Sequence, residues 1–180
     1  MKRGLILVDI QNDYFDGGSM PLHGIDEACA NARRLLERFR SDGAPLFHIQ
    51  HLSVRPGAKF FIPGTEGAEI HEHVRPSEGE TIIQKIFPNS FRDTPLLENL
   101  KAEGIGEVVI CGAMSHMCID ATTRAAYDSG FACTVVHDAC ATRDLVFEDR
   151  TLPAAEVHAA FMAALAVPYA ALTSAADFLQ

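Results

Sequence analysis

Strand and helix patterns alternate along the whole chain, and this alternation restricts the fold more than any other feature of the sequence. Six β-strands are predicted from apolar runs at 5–9, 46–50, 81–85, 107–112, 132–137 and 170–173. Helices are predicted between them at 26–40, 94–103, 118–127 and 153–165. Strands that alternate with helices are typical of α/β proteins. We therefore predict a three-layer α/β/α fold, with a six-stranded, mostly parallel, doubly wound sheet of the Rossmann-like type.

Size and charge indicate what kind of protein this is. The 180 residues are 48% hydrophobic and contain no linker or repeat, which predicts a single domain over 1–180. The net charge of −9 and the lack of a basic run make nucleic acid and anionic membranes unsuitable partners. No apolar stretch approaches the roughly 20 residues that span a bilayer. A small-molecule substrate is the expected partner.

Cysteine usage points to a reducing compartment. The chain has five cysteines, an odd number, and none of them forms a CxxC pair. A disulfide scaffold or a zinc knuckle is therefore not expected, and we predict a cytoplasmic protein. Cys111 and Cys133 fall inside apolar strands, where free cysteines behave as small core residues.

Three chemically active residues follow strands of the predicted sheet. Asp9 ends the first strand, Lys85 ends the third, and Cys118 lies between the fourth strand and the next helix. The carboxyl ends of parallel strands share one edge, where ligands of open α/β sheets bind. A thiol near a helix N-terminus also gains from the helix dipole, which favours its thiolate. The pattern predicts an acid or base, a cation and a nucleophile at one edge.

Each of these residues also has an ordinary structural interpretation. Cys118 can be an inert buried thiol, Asp9 can cap a turn, and Lys85 can extend its ammonium to solvent. Asp13 fits a turn cap better than a catalytic role. His116 is a rival base for the thiol, but residues two apart do not face each other on a helix.

A Gly- and Pro-rich loop occupies 53–79, and loops of this length are usually functional. It contains His71 and His73, while His48 lies in the preceding strand and His51 at its end. These histidines lack compact ligand spacing, so we expect no metal. The phosphate-binding motifs GxGxxG and GxxxxGK[ST] are absent, and so is the GxSxG motif. No cofactor is expected.

Three separated motifs resemble the isochorismatase-like cysteine hydrolases, the superfamily that includes nicotinamidases and N-carbamoylsarcosine amidases. They lie at 7–15 (LVDIQNDYF), 85–91 (KIFPNSF) and 112–126 (GAMSHMCIDATTRAA). The resemblance implies a catalytic triad of Asp9, Lys85 and Cys118, and a homo-oligomer. It also implies a cis peptide between Ala113 and Met114, with the N–H groups of Met114 and Cys118 forming an oxyanion hole.

One departure from the family narrows the function. Metal-binding nicotinamidases carry Asp-x-His at the end of the second strand, where this chain has Gln50 in place of the Asp. Neither a metal nor nicotinamide is therefore expected. Isochorismate cleavage needs an acid more than a thiol, so the presence of Cys118 favours acyl chemistry. We predict thiol-dependent hydrolysis of a small amide or carbamoyl compound.

Other interpretations stay open. Asp9 alone can serve an ether-cleaving isochorismatase, and a non-enzymatic thiol sensor or binding scaffold is a third possibility. The predicted wall of the substrate pocket is aromatic, although each phenylalanine also fits plain core packing; its members are Phe15, Phe60, Phe61, Phe87 and Phe91.

Overall fold

The computed structural model describes residues 1–180 and contains a six-stranded sheet with helices on both faces. The elements, in chain order, are β1 (Lys2–Val8), α1 (Ile25–Ser41), β2 (Leu46–His51), β3 (Thr81–Lys85), α2 (Leu96–Ala102), β4 (Ile105–Ala113), α3 (Asp120–Asp128), β5 (Ala132–Ala141), β6 (Leu145–Phe147), β7 (Arg150–Leu152), α4 (Ala154–Leu165), β8 (Ala171–Thr173) and α5 (Ala175–Phe178). The sheet order is β3-β2-β1-β4-β5-β8, and every neighbouring pair is parallel. The predicted fold class is confirmed.

The two faces of the sheet build two separate cores. Alternate residues of β1 point to opposite faces, so that Leu5 and Leu7 pack with α1 while Ile6 and Val8 pack with α2 to α4. Because both faces are covered, the central strands lack the polar alternation of a half-exposed sheet. Cys111 and Cys133 are buried in these cores, as predicted.

The region from the end of β5 to β7 differs from the prediction. β5 continues to Ala141, whereas the sequence pattern ends it at 137. An antiparallel hairpin of β6 and β7 follows, which the sequence analysis did not predict. Its strands are three residues each, and Val146 and Phe147 are exposed. Strands this short carry no readable alternation, which explains why the pattern missed them.

The loop over 53–79 is held to the first strand end by buried side chains. Gln11 donates to the carbonyl oxygens of His51 and Ala68, at 2.9 and 2.8 Å. Asp13 accepts hydrogen bonds from the backbone N–H groups of Phe61 and Ser19, at 2.6 and 3.0 Å. Asp13 is therefore the turn cap that the sequence indicates, and the loop is packed against the edge where β1 ends.

Gly112 is required where β4 passes β1. Its φ is 123°, a conformation that L side chains rarely adopt, and a Cβ at this position would collide with the carbonyl oxygen of Val8. Val8 is its register partner and precedes Asp9, so the close approach sets the spacing of two strand ends.

We expect Gly112→Ala to destabilise the protein by more than about 3 kcal/mol, because it adds a backbone collision to an unfavourable φ. Urea unfolding at neutral pH measures this. Gly104→Ala is the matched control, because Gly104 has a φ of 66° but no atom within 4 Å of the added Cβ. It should cost only about 1–2 kcal/mol. Equal losses in the two variants would contradict the close-approach argument.

No helix of this fold combines the length and the apolar character needed to cross a bilayer.

Candidate active site

The structure brings Asp9, Lys85 and Cys118 together at the carboxyl edge of the sheet. The Lys85 ammonium lies 2.7 Å from Asp9 Oδ2 and 3.2 Å from Cys118 Sγ. Lys85 comes from β3 and reaches past β2, which separates it from β1. Asp9, Lys85 and Cys118 are 0%, 2% and 4% exposed. The three strand ends that the sequence singles out therefore form one buried cluster.

The Lys85 ammonium is surrounded by acceptors. Besides Asp9 and Cys118, it contacts His51 Nδ1 at 3.0 Å and donates to the Phe87 carbonyl oxygen at 3.1 Å. A lysine has three N–H groups, so four acceptors compete for them. Burial opposes the charge, but Asp9 and Cys118 outweigh this effect and raise the pKa of Lys85 above its usual value. The site holds a fixed, desolvated cation.

The thiol of Cys118 differs from the sequence expectation. Its pKa is raised, mainly by burial and then by the Asp9 carboxylate, and Lys85 only partly offsets this. The helix dipole and the cation were expected to favour the thiolate. Desolvation is larger than the effect of Lys85 because the sulfur is almost completely enclosed. The resting site therefore contains a protonated thiol beside an acid and a cation.

Asp9 is positioned to accept a proton. Its backbone φ is 52°, in the left-handed region that Asp tolerates better than most residues, and its N–H donates to the Ile49 carbonyl oxygen at 3.1 Å. Oδ2 is engaged by Lys85, while Oδ1 is buried and has no hydrogen-bond partner. A buried carboxylate oxygen without a hydrogen-bond partner costs free energy of folding. Unsatisfied polar atoms of this kind are often found at functional sites.

His51 is a member of the site that the sequence analysis considered only as a possible metal ligand. It ends β2 and is the register partner of Lys85. Since an ammonium group can only donate, His51 Nδ1 must be the acceptor, and the ring proton lies on Nε2. Burial, with opposition from Asp9, lowers the pKa of His51 to about 4. Its position at the end of the intervening strand was the signal that could have identified it.

Because His51 is buried in its neutral form, we expect the folded protein to lose stability at acidic pH. The imidazole takes up a proton near pH 6.5 in the unfolded chain but near pH 4 in the folded protein. Between these values the unfolded state binds more protons, so stability falls as the pH is lowered through this window. The contribution is up to about 3 kcal/mol at pH 4. His51→Gln removes this titration but keeps an acceptor for Lys85.

Urea unfolding from pH 8 to 4, for wild type and His51→Gln, measures this contribution. We expect the free energy of unfolding to fall less on acidification in the variant than in wild type. For each protein the fall is measured from its own free energy of unfolding at pH 8. Other titrating groups are common to both proteins and cancel in the difference. Parallel pH profiles would show that His51 is not buried as the neutral form.

The turn that carries Cys118 is held by local backbone hydrogen bonds. The Ala113–Met114 peptide is cis, at the position that the resemblance implies. The Met114 carbonyl oxygen accepts the N–H groups of Met117 and Ile119, at 3.0 and 3.2 Å. Cys118 itself lies in the helical turn Ser115–Ile119, which leads into α3. The backbone around the sulfur is thus held by local hydrogen bonds.

His116 does not act as the partner of the thiol in this arrangement. Its Nδ1 is 2.6 Å from the Thr142 hydroxyl oxygen, and its ring packs edge-on against Phe161. The neighbouring Ser115 is buried and contacts His158 Nδ1 at 2.9 Å. The geometry favours Asp9 over His116 as the base.

The five phenylalanines of the predicted pocket wall lie in several environments. Phe61 is buried, with its ring centroid 6.0 Å from that of His51 and 4.9 Å from that of Phe60. Phe15 stacks on His71, and Phe91 packs against Phe131.

The remaining one, Phe87, binds Lys85 through its carbonyl oxygen, and the Arg92 guanidinium covers its ring at 3.6 Å. Tyr14 joins the Phe60–Phe61 group, with its ring centroid 4.6 Å from that of Phe61. Burial, Cys118 and Asp9 raise the pKa of Tyr14. Tyr14 is a neighbour of the Asp9–Lys85–Cys118 cluster that the sequence pattern did not indicate.

The residues around the cluster do not fit a metal. Asp9, His51 and Cys118 offer three ligand atoms within 4.8 Å of one another. The Lys85 ammonium contacts all three residues and supplies the positive charge there. Gln50 uses its amide to donate to the Ala68 carbonyl oxygen and to accept from Gln84. It connects the loop to the sheet.

Comparison with known proteins identifies the family. The model of the isochorismatase domain matches residues 3–177. The chain belongs to the isochorismatase family. It is 53% identical over 180 residues to the uncharacterized isochorismatase family protein YddQ of Bacillus subtilis, and the match covers 100% of both chains.

Two further matches extend the comparison. A streptothricin hydrolase of Streptomyces noursei is 36% identical over 143 residues, which are 79% of this chain and 56% of the hydrolase. The crystal structure of a putative isochorismatase hydrolase from Oleispira antarctica is 49% identical and superposes with a TM-score of 0.95, covering 99% of this chain and 96% of the other. The protein is therefore an isochorismatase-family hydrolase.

Proposed function

We propose that the protein hydrolyses a carbon–nitrogen bond of a small amide or carbamoyl compound through a thioester on Cys118. One observation carries the proposal, namely that a single buried ammonium contacts both a carboxylate and a thiol, at 2.7 and 3.2 Å. This geometry provides a base, a nucleophile and a fixed cation within one hydrogen-bonded group. One relative is named as a streptothricin hydrolase, and a hydrolytic reaction agrees with the proposal.

In the first step Asp9 removes the thiol proton while the sulfur attacks the carbonyl carbon. A carbon–sulfur bond forms and the carbonyl electron pair moves onto oxygen. The N–H groups of Met114 and Cys118 would stabilise this oxyanion. When the carbonyl re-forms, the carbon–nitrogen bond breaks and the protonated Asp9 gives its proton to the leaving amine.

In the second step water cleaves the thioester. Asp9 takes a proton from the water, the hydroxide adds to the acyl carbon, and the carbon–sulfur bond breaks. The proton returns to the sulfur, which restores the resting thiol. Lys85 keeps its charge throughout and offsets the negative charge, which moves between Asp9 and the sulfur.

The resting thiol supports general-base catalysis over a sensor function. A redox-sensing cysteine has a low pKa and is accessible to solvent. Cys118 is only 4% exposed and its pKa is raised. Both properties favour a thiol that is activated by Asp9 only when a substrate is bound.

Ammonia release from a panel of small amides, ureas and carbamoyl acids tests the proposal. We expect turnover of at least one compound, with formation of the matching acid. Quenching during turnover should give protein whose mass is increased by the acyl group. A lack of ammonia release, combined with cleavage of isochorismate or another vinyl ether, would replace the proposal with ether hydrolysis by Asp9.

A further inference from the structure

Three side chains of types that can bind a metal lie together outside the Lys85 cluster. Cys29 on α1 and the loop residues His71 and His73 have ligand atoms within 4.8 Å of one another. Cys29 Sγ is 3.9 Å from His71 Nδ1. These residues have no part in the proposed reaction.

We propose that Cys29, His71 and His73 form a zinc site that joins α1 to the 53–79 loop. One thiolate and two imidazoles are a ligand set suited to Zn²⁺, and three protein ligands leave a fourth position to solvent. A tetrahedral zinc with Zn–S of about 2.3 Å and Zn–N of about 2.0–2.1 Å separates its ligand atoms by about 3.3–3.6 Å. Cys29 Sγ and His71 Nδ1 are 3.9 Å apart, and all three ligand atoms lie within 4.8 Å of one another, so ion binding requires the ligands to draw together.

Two of the three ligands are held in place before any ion binds. Cys29 is 1% exposed on the inner face of α1. The backbone N–H of His71 donates to the Ile10 carbonyl oxygen at 2.9 Å, and its ring stacks on Phe15 with centroids 3.7 Å apart. His73 is exposed and its backbone N–H makes a long 3.4 Å contact with His71 Nδ1. Binding would replace that weak contact with a metal bond.

The surrounding charge favours a cation. Burial and then His73 lower the pKa of His71, while Glu72 and Asp26 oppose this. Burial raises the pKa of Cys29, and Asp26 acts in the same direction. Arg33 is the opposing charge, and its Nε is paired with Glu37 at 2.8 Å. Without metal, burial raises the pKa of Cys29 to about 12, so zinc must displace a proton from the thiol.

Zinc here would act on the loop that packs over the reaction site. His71 hydrogen bonds to Ile10, which follows Asp9 directly. A metal that binds only the folded arrangement stabilises it in proportion to its concentration relative to Kd. The zinc site thus restrains the 53–79 loop where the loop contacts the end of β1, next to Asp9.

Cobalt titration tests the zinc site. Full-length Cys118→Ala protein, freed of metal by a chelator, is titrated with Co²⁺, so that a thiolate signal cannot come from Cys118. We expect one equivalent to bind, with a sulfur-to-cobalt charge-transfer band and the visible bands of tetrahedral Co²⁺. One equivalent of Zn²⁺ should remove these bands, and Zn²⁺ should raise the Tm.

Variants in the same background decide which residues bind. Cys29→Ser should lose the charge-transfer band, and His73→Gln, an exposed change that leaves the core intact, should weaken binding at least about tenfold, or about 1.4 kcal/mol. Cys133→Ser is the matched control, since Cys133 is also buried but lies in β5. An unchanged cobalt affinity in His73→Gln, or no binding by the parent protein, would overturn the proposal. The readouts do not depend on hydrolysis, so they stand apart from the proposed reaction.

Discussion

Replacing Cys118 with alanine is expected to abolish amide hydrolysis, with a loss on the order of 10⁶-fold in kcat. The sulfur is the nucleophile of the proposed reaction and lies 3.2 Å from the ammonium of the Asp9–Lys85 pair. Removal of the side chain leaves the pair intact, so the fold should survive. Ammonia release and the acyl mass adduct should disappear together.

Two controls make this result specific. Cys133→Ala removes another buried thiol, near the start of β5, and should leave turnover within about twofold of wild type. Cys118→Ser keeps an acceptor for Lys85 but supplies a weaker nucleophile, and it should retain little activity. Full ammonia release by Cys118→Ala would remove the thioester from the mechanism and leave Asp9 as the group responsible.

The second large effect concerns the buried ion pair of Asp9 and Lys85. Lys85→Met should destabilise the protein by about 3–5 kcal/mol, because it leaves the Asp9 carboxylate charged, enclosed and without a partner. Asp9→Asn should cost less, since Lys85 keeps the Cys118 sulfur, His51 and the Phe87 carbonyl oxygen as acceptors. Asp9→Asn should also slow turnover by about 10²–10⁴-fold through loss of the base.

The double variant Asp9→Asn/Lys85→Met separates stability from function. Because it contains no unpaired charge, it should be more stable than Lys85→Met alone, yet it should have no activity. Urea unfolding and ammonia release on the same preparations measure both properties. Lys101→Met is the control for loss of an exposed lysine and should change stability by less than about 0.5 kcal/mol. If the two single losses simply add in the double variant, then Asp9 and Lys85 are not coupled.

The meeting of Asp9, Lys85 and Cys118 was predictable because it follows from sheet topology. Asp9, Lys85 and Cys118 each follow an apolar run, and parallel strands end at one edge. The strand patterns were readable because both faces of the central strands are covered, as with Leu5 and Ile6 of β1. Asp13 was also predictable as a cap, because an acid in a turn accepts nearby backbone N–H groups.

The electrostatic state of the site was not predictable in this way. The sequence shows that Cys118 precedes a helix and that a lysine is near, and both favour a thiolate. Only the packed structure shows that enclosure raises the pKa of the thiol instead. Desolvation sums over all neighbours of the sulfur, and most of these are distant in sequence.

The sequence pattern was sufficient to predict the fold class and the edge of the sheet at which Asp9, Lys85 and Cys118 meet. Local periodicity is sufficient for these, since it reports which faces of a strand or helix are buried. Tertiary structure alone decided the His51–Lys85 contact, the β6–β7 hairpin, and the meeting of Cys29 with His71 and His73. Each of these depends on how the 53–79 loop or a short segment packs against remote elements, and contacts of that kind leave no periodic trace in the chain.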